Sequence, residues 1–337
     1  MALLEVKKLK VYYQTGRGVN QAVDGISFEL DQGSSIGLVG ESGCGKSTTV
    51  KGIVRVMPTN AFIPEGEVYF NGSDILKSAE KEMRQLRWRD ISIVPQAAMD
   101  SLNPVYTVRN QFLEVMQLKG DLNKKQALVR AKELFALVGL NSDLLNYYPH
   151  QFSGGMKQRA VIALALALNP RLIITDEPVT ALDVIVQHQI LNELKELRQQ
   201  LGLAMVMITH DISVVAQTCD QIAVMYAGKI VEKGKGKQVL KNPLHPYTMG
   251  LKNCFPNLNQ PNKELIAIAG SPPDLIDPPP GCRFYERCPF AMTQCQLEEP
   301  GLEELESGHL SACFLREDID QYRNKAKEVE TWLQVII

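Results

Sequence analysis

The sequence has no apolar run close to the ~20 residues needed to cross a bilayer. Its longest, Ala160 to Leu168, stops at Asn169-Pro170. A charged-then-apolar leader is also missing, because Met1-Ala2-Leu3-Leu4-Glu5 turns polar at once. These two absences argue against a membrane-spanning or exported chain and set the expectation of a cytosolic one. Neither sign of charge is in excess: 36 basic against 38 acidic residues give a formal net charge of −2. That balance removes any bulk attraction to nucleic acid. Cysteine, by contrast, is not scarce. Seven cysteines in a reducing compartment point to thiols or metal ligands before disulfides. The length of 337 residues suggests about two domains.

The most informative stretch is Gly40-Glu41-Ser42-Gly43-Cys44-Gly45-Lys46-Ser47, which reads G-x-x-x-x-G-K-S. An apolar run, Ser35 to Val39, precedes it as a buried strand should, and Ser47-Thr48-Thr49-Val50 can open a helix. That is the context of a phosphate loop. Glycines let the backbone curl until successive N–H groups face phosphate oxygens. The helix start behind the loop adds partial positive charge. Lys46 suits the β- and γ-phosphates, and the Ser47 hydroxyl suits Mg²⁺. A plain strand-to-helix turn needs neither the lysine nor the serine, so the chain is expected to bind a nucleoside triphosphate.

Ahead of this loop, Val6 to Tyr13 and Ala22 to Leu30 read as strands. Tyr12 and Tyr13 end the first; an aromatic there can stack on a base or simply pack in its sheet. Beyond the loop, Gly66 to Phe70 is a strand followed by the turn Asn71-Gly72, and Ile91 to Pro95 is a short strand with Gln96 directly after it. From about residue 97 the pattern is helical. Asn123 is placed to cap a helix that Gly139 ends. Phe152-Ser153-Gly154-Gly155-Met156 is a second glycine turn opening a helix. It can offer N–H groups to an anion or serve only as a cap with Ser153 at its head.

Arg171 to Thr175 is a hydrophobic strand ending in Asp176 and Glu177. Carboxylates at that end of a parallel strand face the ligand crevice. Asp176 suits Mg²⁺, and Glu177 suits a general base orienting the attacking water. Ala181-Leu182-Asp183 follows, then an amphipathic helix stopped by Gly202. His210, after the buried strand Ala204 to Thr209, is placed to reach a γ-phosphate. Ile222 to Tyr226 and Lys229 to Glu232 read as a hairpin about Ala227-Gly228.

Taken in order, G-E-S-G-C-G-K-S, Gln96, F-S-G-G-M, L-I-I-T-D-E, A-L-D and His210 resemble the ATP-binding subunit of an ABC transporter. The resemblance spans roughly residues 1 to 315. F-S-G-G-M, together with Asn242-Pro243-Leu244-His245-Pro246-Tyr247-Thr248, is similar to the dipeptide/oligopeptide importer branch. It implies an α/β fold: a P-loop NTPase of ABC type with an antiparallel β subdomain, a helical subdomain at about 97–165 and a small Cys-rich C-terminal extension. The expected division is 1–253 for the nucleotide-binding domain and 254–337 for the extension.

By this resemblance Tyr13 stacks on adenine, and Ser42, Gly43, Cys44, Gly45, Lys46, Ser47 and Thr48 hold ATP. Gln96 senses the γ-phosphate and helps Ser47 and Asp176 hold Mg²⁺. Glu177 and His210 act on the γ-phosphate. Ser153, Gly154, Gly155 and Asp183 serve the ATP of an opposite subunit. Met156 departs from the family's usual Gln, which puts a role for its side chain in doubt but not the backbone donors. The implied partners are transmembrane permease subunits, a second identical or related ATPase and, indirectly, an extracellular or periplasmic peptide-binding protein, with no nucleic acid. The implied location is peripheral, on the cytoplasmic face of the membrane.

The tail is proline-rich through Ser271-Pro272-Pro273 and Asp277 to Pro280, as extended linkers are. Cys282, Cys288 and Cys295 then follow as C-x5-C-x6-C, with Cys313 beyond. Zinc prefers tighter pairs, and Cys288-Pro289 is similar to the cysteine-proline of ferredoxin-type runs. Some peptide-importer ATPases of the kind this chain resembles carry a [4Fe–4S] cluster on such a tail. That cluster is the preferred expectation, with zinc as runner-up. Because the tail reads as separate from the phosphate loop, replacing its cysteines is expected to spare ATP binding. Asp318 to Ile337 reads as one amphipathic helix carrying Ile319, Tyr322, Ala326, Val329, Leu333 and Ile336 on one side.

Two other functions compete: a soluble ABC-type ATPase, and an iron–sulfur redox-regulated ATPase not coupled to transport. The absence of sustained heptads between Lys46 and Ser153 sets aside chromosome-maintenance relatives. The presence of a single cassette sets aside the two-cassette ribosomal kind.

Overall fold

The computed structural model describes residues 2–180, 182–254 and 266–333. Two compact units make up the chain. One comprises Met1–Leu3, Leu30–Ser35 and Asn71–Ile208; the other comprises Leu4–Glu29, Ile36–Phe70 and Thr209–Ile337.

In the first unit three parallel strands carry the site. Leu172–Asp176 pairs with Ile91–Val94 on one side and with Ala204–Thr209 on the other. Leu172 to Thr175 and all of Ala204–Thr209 are buried. Unbroken apolar runs of this kind form strands covered on both faces. Helices Val108–Gly120 and Lys124–Leu137 pack through an edge-on pair, Phe112 and Phe135, 5.5 Å apart. As expected, Asn123 caps the second of these, and its side chain accepts from the Gln126 N–H. Gly139 follows with φ 67. Gly202, at φ 62, ends the helix Val184–Leu201. Sequence periodicity missed the helix Glu80–Arg89. Met83 is its one buried residue, so it has no apolar stripe, and it breaks at Arg87 and Trp88.

In the second unit Leu4–Thr15 lies between Gly18–Leu30 and Glu67–Phe70 in an antiparallel sheet, with Leu4 opposite Phe70 and Val6 opposite Val68. A parallel pairing joins Gln221–Tyr226 to Ser35–Val39. Gln221–Tyr226 turns back into Lys229–Lys235 at Ala227 and Gly228, both left-handed (φ 47 and 84), as a two-residue hairpin requires. The tail then joins this sheet: His309–Ser311 pairs with Lys229–Lys235, and Glu303–Glu306 pairs outside it. No pattern in the sequence signals this addition, because these strands are short and largely polar.

The single helix expected over 318–337 is replaced by two short ones, Ile319–Lys325 and Val329–Leu333. The Ala326 carbonyl accepts from Trp332 Nε1 and Asn253 Nδ2 instead of continuing a helix. Trp332, absent from the expected apolar side, is buried, whereas Leu333 is exposed. Ile336 lies outside the described residues, as does Ala181 of A-L-D.

Candidate functional site

The phosphate loop joins the strand Ser35–Val39 to the helix Lys46–Ile53 in the second unit. Two of its glycines are obligatory. At Gly40 (φ 157) an added Cβ would fall 2.1 Å from the Met225 carbonyl oxygen; at Gly45 (φ 105) it would fall 2.4 Å from the Ala22 oxygen. No side chain fits at either distance, and the left-handed backbone disfavours one further. The buried Lys46 ammonium donates to the carbonyls of Gly40 (2.7 Å) and Glu41 (2.9 Å). Phosphate oxygens would offer the same cation stronger, charged acceptors. Tyr13 is half-buried, with its hydroxyl 3.2 Å from Thr48 Oγ1, so the strand aromatic is fixed against the first turn behind the loop. His210 is exposed just past Ala204–Thr209. Asp211 beside it caps the next helix, accepting from the N–H groups of Ser213 and Val214.

The first unit brings together the second group of expected residues. Gln96 Nε2 donates to Glu177 Oε2 at 3.1 Å, and Thr180 Oγ1 donates to the same oxygen at 3.0 Å. Glu177 takes φ 48, a conformation that side-chain-bearing residues seldom adopt. Its N–H is tied to the Ile208 carbonyl at 2.8 Å, which holds it there. Glu177 and Asp176 thus sit at the C-terminal edge of a parallel strand, where the sequence reading put them. Thr180 was missed, because a threonine three residues beyond a glutamate carries no signal of its own.

Ser153 is exposed and caps the helix Gly154–Ala165, accepting from the Met156 N–H at 3.3 Å. The cap and the anion-donor readings therefore coexist, since the cap leaves the N–H groups of Gly154 and Gly155 at the helix start. Asp183 caps Val184–Leu201 by accepting from the Val186 N–H. Val186 also borders the glycine turn at Ser153, because a Cβ on Gly155 would meet Val186 Cγ1 at 2.9 Å. Val184 and Ile185 point outward, 78% and 73% exposed, on an otherwise ordinary amphipathic helix.

Cys282, Cys288, Cys295 and Cys313 all line one small pocket in the second unit, walled by Phe284, Phe290 and His245. Burial pushes the Cys282 thiol up to about 11 and the Cys313 thiol up to about 12, and it raises Cys288 well above the ordinary range. Burial also pushes His245 down to about 3, so it is neutral. Its Nδ1 accepts from the Tyr247 N–H, placing His245 as the cap of the helix Pro246–Asn253. Among the described residues, no three His, Cys, Asp or Glu side chains converge on one point as ligands of a single metal ion do. No helix among them is long and apolar enough to cross a membrane.

Residues 23–180 match the family model for ABC transporter, and residues 231–295 match that for Oligopeptide/dipeptide transporter, C-terminal region. The chain is 43% identical over 318 residues to the dipeptide transport ATP-binding protein DppD of Bacillus subtilis, covering 94% of this chain and 95% of that one. It is 44% identical over 314 residues to the oligopeptide transport ATP-binding protein OppD of Salmonella typhimurium, covering 93% of each. Among solved structures it resembles an ATP-binding cassette captured as a dimer after hydrolysis with ADP and Pi. The TM-score is 0.62 at 29% identity, over 69% of this chain and 98% of the other. The match at residues 231–295 does not favour an ATPase unconnected with transport. The chain belongs to the ATP-binding proteins of ABC transporters, in the branch that carries the oligopeptide/dipeptide transporter C-terminal region.

Proposed function

We propose that this chain is the ATP-binding and ATP-hydrolysing subunit that powers import of dipeptides or oligopeptides through membrane permease subunits. The observation that carries the reading is a phosphate loop whose buried lysine donates to the carbonyls of Gly40 and Glu41 and to the Cys44 sulfur, in a chain whose relatives are peptide-transport ATP-binding proteins. Lys46 and the loop N–H groups bind the β- and γ-phosphates, and Tyr13 stacks on adenine. Mg²⁺, held by Ser47, Gln96 and Asp176, would neutralise charge on the phosphate oxygens. Glu177 orients a water and takes its proton as the water oxygen bonds to the γ-phosphorus. The bond to the bridging oxygen then breaks and ADP leaves. Gln96 reports the γ-phosphate by its bond to Glu177, and His210 contacts the γ-phosphate.

Ser153, Gly154, Gly155 and Asp183 close on ATP held by a second, identical or related ATPase subunit. The exposed Val184 and Ile185 suit such an interface. ATP then holds two subunits together until hydrolysis releases them, and this moves a permease only if its conformations differ in affinity for the closed pair. Residues 1–253 form the nucleotide-binding domain, with a helical subdomain at about 97–165 that docks on the permease at the cytoplasmic face. An extracellular or periplasmic binding protein supplies the peptide.

The four-cysteine tail is assigned one [4Fe–4S] cluster. A cluster spreads its thiolates over separate irons, whereas a single zinc draws four sulfurs to about 2.3 Å from one point. A pocket lined by all four thiols supports a four-thiolate site, and the wide C-x5-C-x6-C spacing favours the first arrangement. Each bound thiolate must shed a proton that burial otherwise retains. Purifying the intact membrane complex and measuring peptide-stimulated ATP hydrolysis tests the transport reading. Hydrolysis indifferent to every peptide, in a complex that contains permease subunits, would overturn it.

A further inference from the structure

The phosphate loop contains a carboxylate, Glu41, at the place where polyphosphate must bind. An unpaired carboxylate there would repel the phosphates, since like charges a few ångströms apart cost about 1 kcal/mol even in water and more when partly buried. Glu41 is not unpaired. Arg287 meets it in a two-pronged contact, with Nη1 to Oε2 at 2.8 Å and Nη2 to Oε1 at 3.0 Å.

Arg287 is itself 6% exposed and held from several sides. Its Nε donates to the Ala269 carbonyl at 2.8 Å, Nη2 to the Ile268 carbonyl at 3.2 Å, and Nη1 to the Tyr226 hydroxyl at 3.2 Å. The backbone of Glu41 is fixed as well: its N–H donates to the Tyr247 hydroxyl at 2.8 Å, and its carbonyl accepts from Lys46. Tyr247 belongs to the Asn242 to Thr248 motif that the nucleotide chemistry leaves unused. The rings of Tyr226, Tyr247 and Phe284 lie 4.7 to 5.4 Å apart, and they wedge that motif, the loop and the tail together.

We propose that Arg287, with Tyr247, is a positioning residue for the phosphate loop: it neutralises Glu41 and fixes the loop's first turn in the shape that receives ATP. On this proposal the tail bears on nucleotide binding through Arg287, which directly precedes Cys288, whose thiol lines the four-cysteine pocket. The proposal rests on ATP binding at the loop and not on which metal the cysteines hold.

The test is a charge cycle in the full chain, read as the Kd for Mg-ATP by titration, with thermal melts to follow folding. Arg287→Met should weaken binding about tenfold, the scale of one desolvated charge contact. Glu41→Gln in the same chain should restore it to within about threefold of the parent, because the uncompensated charge is gone. Arg287→Lys should fall between, keeping the charge while losing the fork. A purely structural arginine predicts the opposite: a melting loss with no rescue by Glu41→Gln. Arg287→Met binding Mg-ATP as the parent does, or a double variant no better than the single, would overturn the proposal. If Arg287→Met does not fold, Arg287→Lys decides: Mg-ATP affinity below the parent's at an unchanged Tm supports the positioning role, and parental affinity refutes it.

Discussion

The chain has two glycine turns that open helices, and they are built to opposite specifications. In the phosphate loop a side chain at Gly40 or Gly45 would strike backbone oxygen at close to 2 Å, the lysine is buried, and Glu41 is gripped by Arg287 and Tyr247. The turn at Ser153 is exposed, its cap is its own serine, and the nearest obstacle to a larger residue at Gly155 is one methyl group of Val186. A shared sequence device, glycine before a helix start, thus serves as a finished seat only where the surroundings fix the backbone.

Removing the base should do the most damage. Glu177→Gln should slow hydrolysis by roughly 10²–10⁴-fold, the range for a general base, while Mg-ATP binding persists and an ATP-bound dimer accumulates on size exclusion. A normal rate would place the base elsewhere. Next comes the seat. Lys46→Ala should lower Mg-ATP affinity by roughly two orders of magnitude, since it removes charged hydrogen bonds of ~1.5–3 kcal/mol. Calorimetric titration reads this directly. Gly155→Val at the open turn should leave the Kd of the isolated chain within about twofold and cut ATPase activity in the assembled complex by about tenfold or more, as a lost anion contact in a transition state does. If it weakens ATP binding by the isolated chain instead, the two turns do not divide the labour as described. The smallest effect is on stability: Ser153→Ala should cost about 1 kcal/mol through its lost cap, seen as a lowered Tm. A separate measurement sets the thiol pocket apart from both turns. Anaerobically purified protein should be brown and carry about four irons per chain, as a [4Fe–4S] cluster requires; one zinc without iron would replace that assignment.

The seat was legible from sequence because its demands are local. Glycine spacing, a lysine and a strand before a helix all fall within a few positions, and Gln96 and Glu177 each lie at strand ends that apolar runs announce. What escaped was long-range. Arg287 and Glu41 are far apart in the chain, and nothing in an arginine beside a cysteine indicates a carboxylate partner. The strand His309–Ser311 is too short for a periodic signal, and its place is set by its pairing with Lys229–Lys235. The helix expected over 318–337 failed for a related reason: a hydrogen bond from Trp332 to Ala326, invisible to periodicity, turns the chain.

That added strand has a consequence for anyone shortening the protein. Glu232, fully buried on Lys229–Lys235, accepts from the N–H groups of Leu244 and His245, and His309 Nε2 from the added strand lies 2.7 Å from the same carboxylate. A chain cut before residue 300 would lose that imidazole and uncover the edge of Lys229–Lys235, a row of free N–H and C=O groups that invites pairing with another molecule. A shortened chain that keeps Lys229–Lys235 but ends before residue 300 would therefore trade a sheet edge sealed within one chain for one that recruits its neighbours. The practical sign would be turbidity and loss of monomer before any change in nucleotide chemistry.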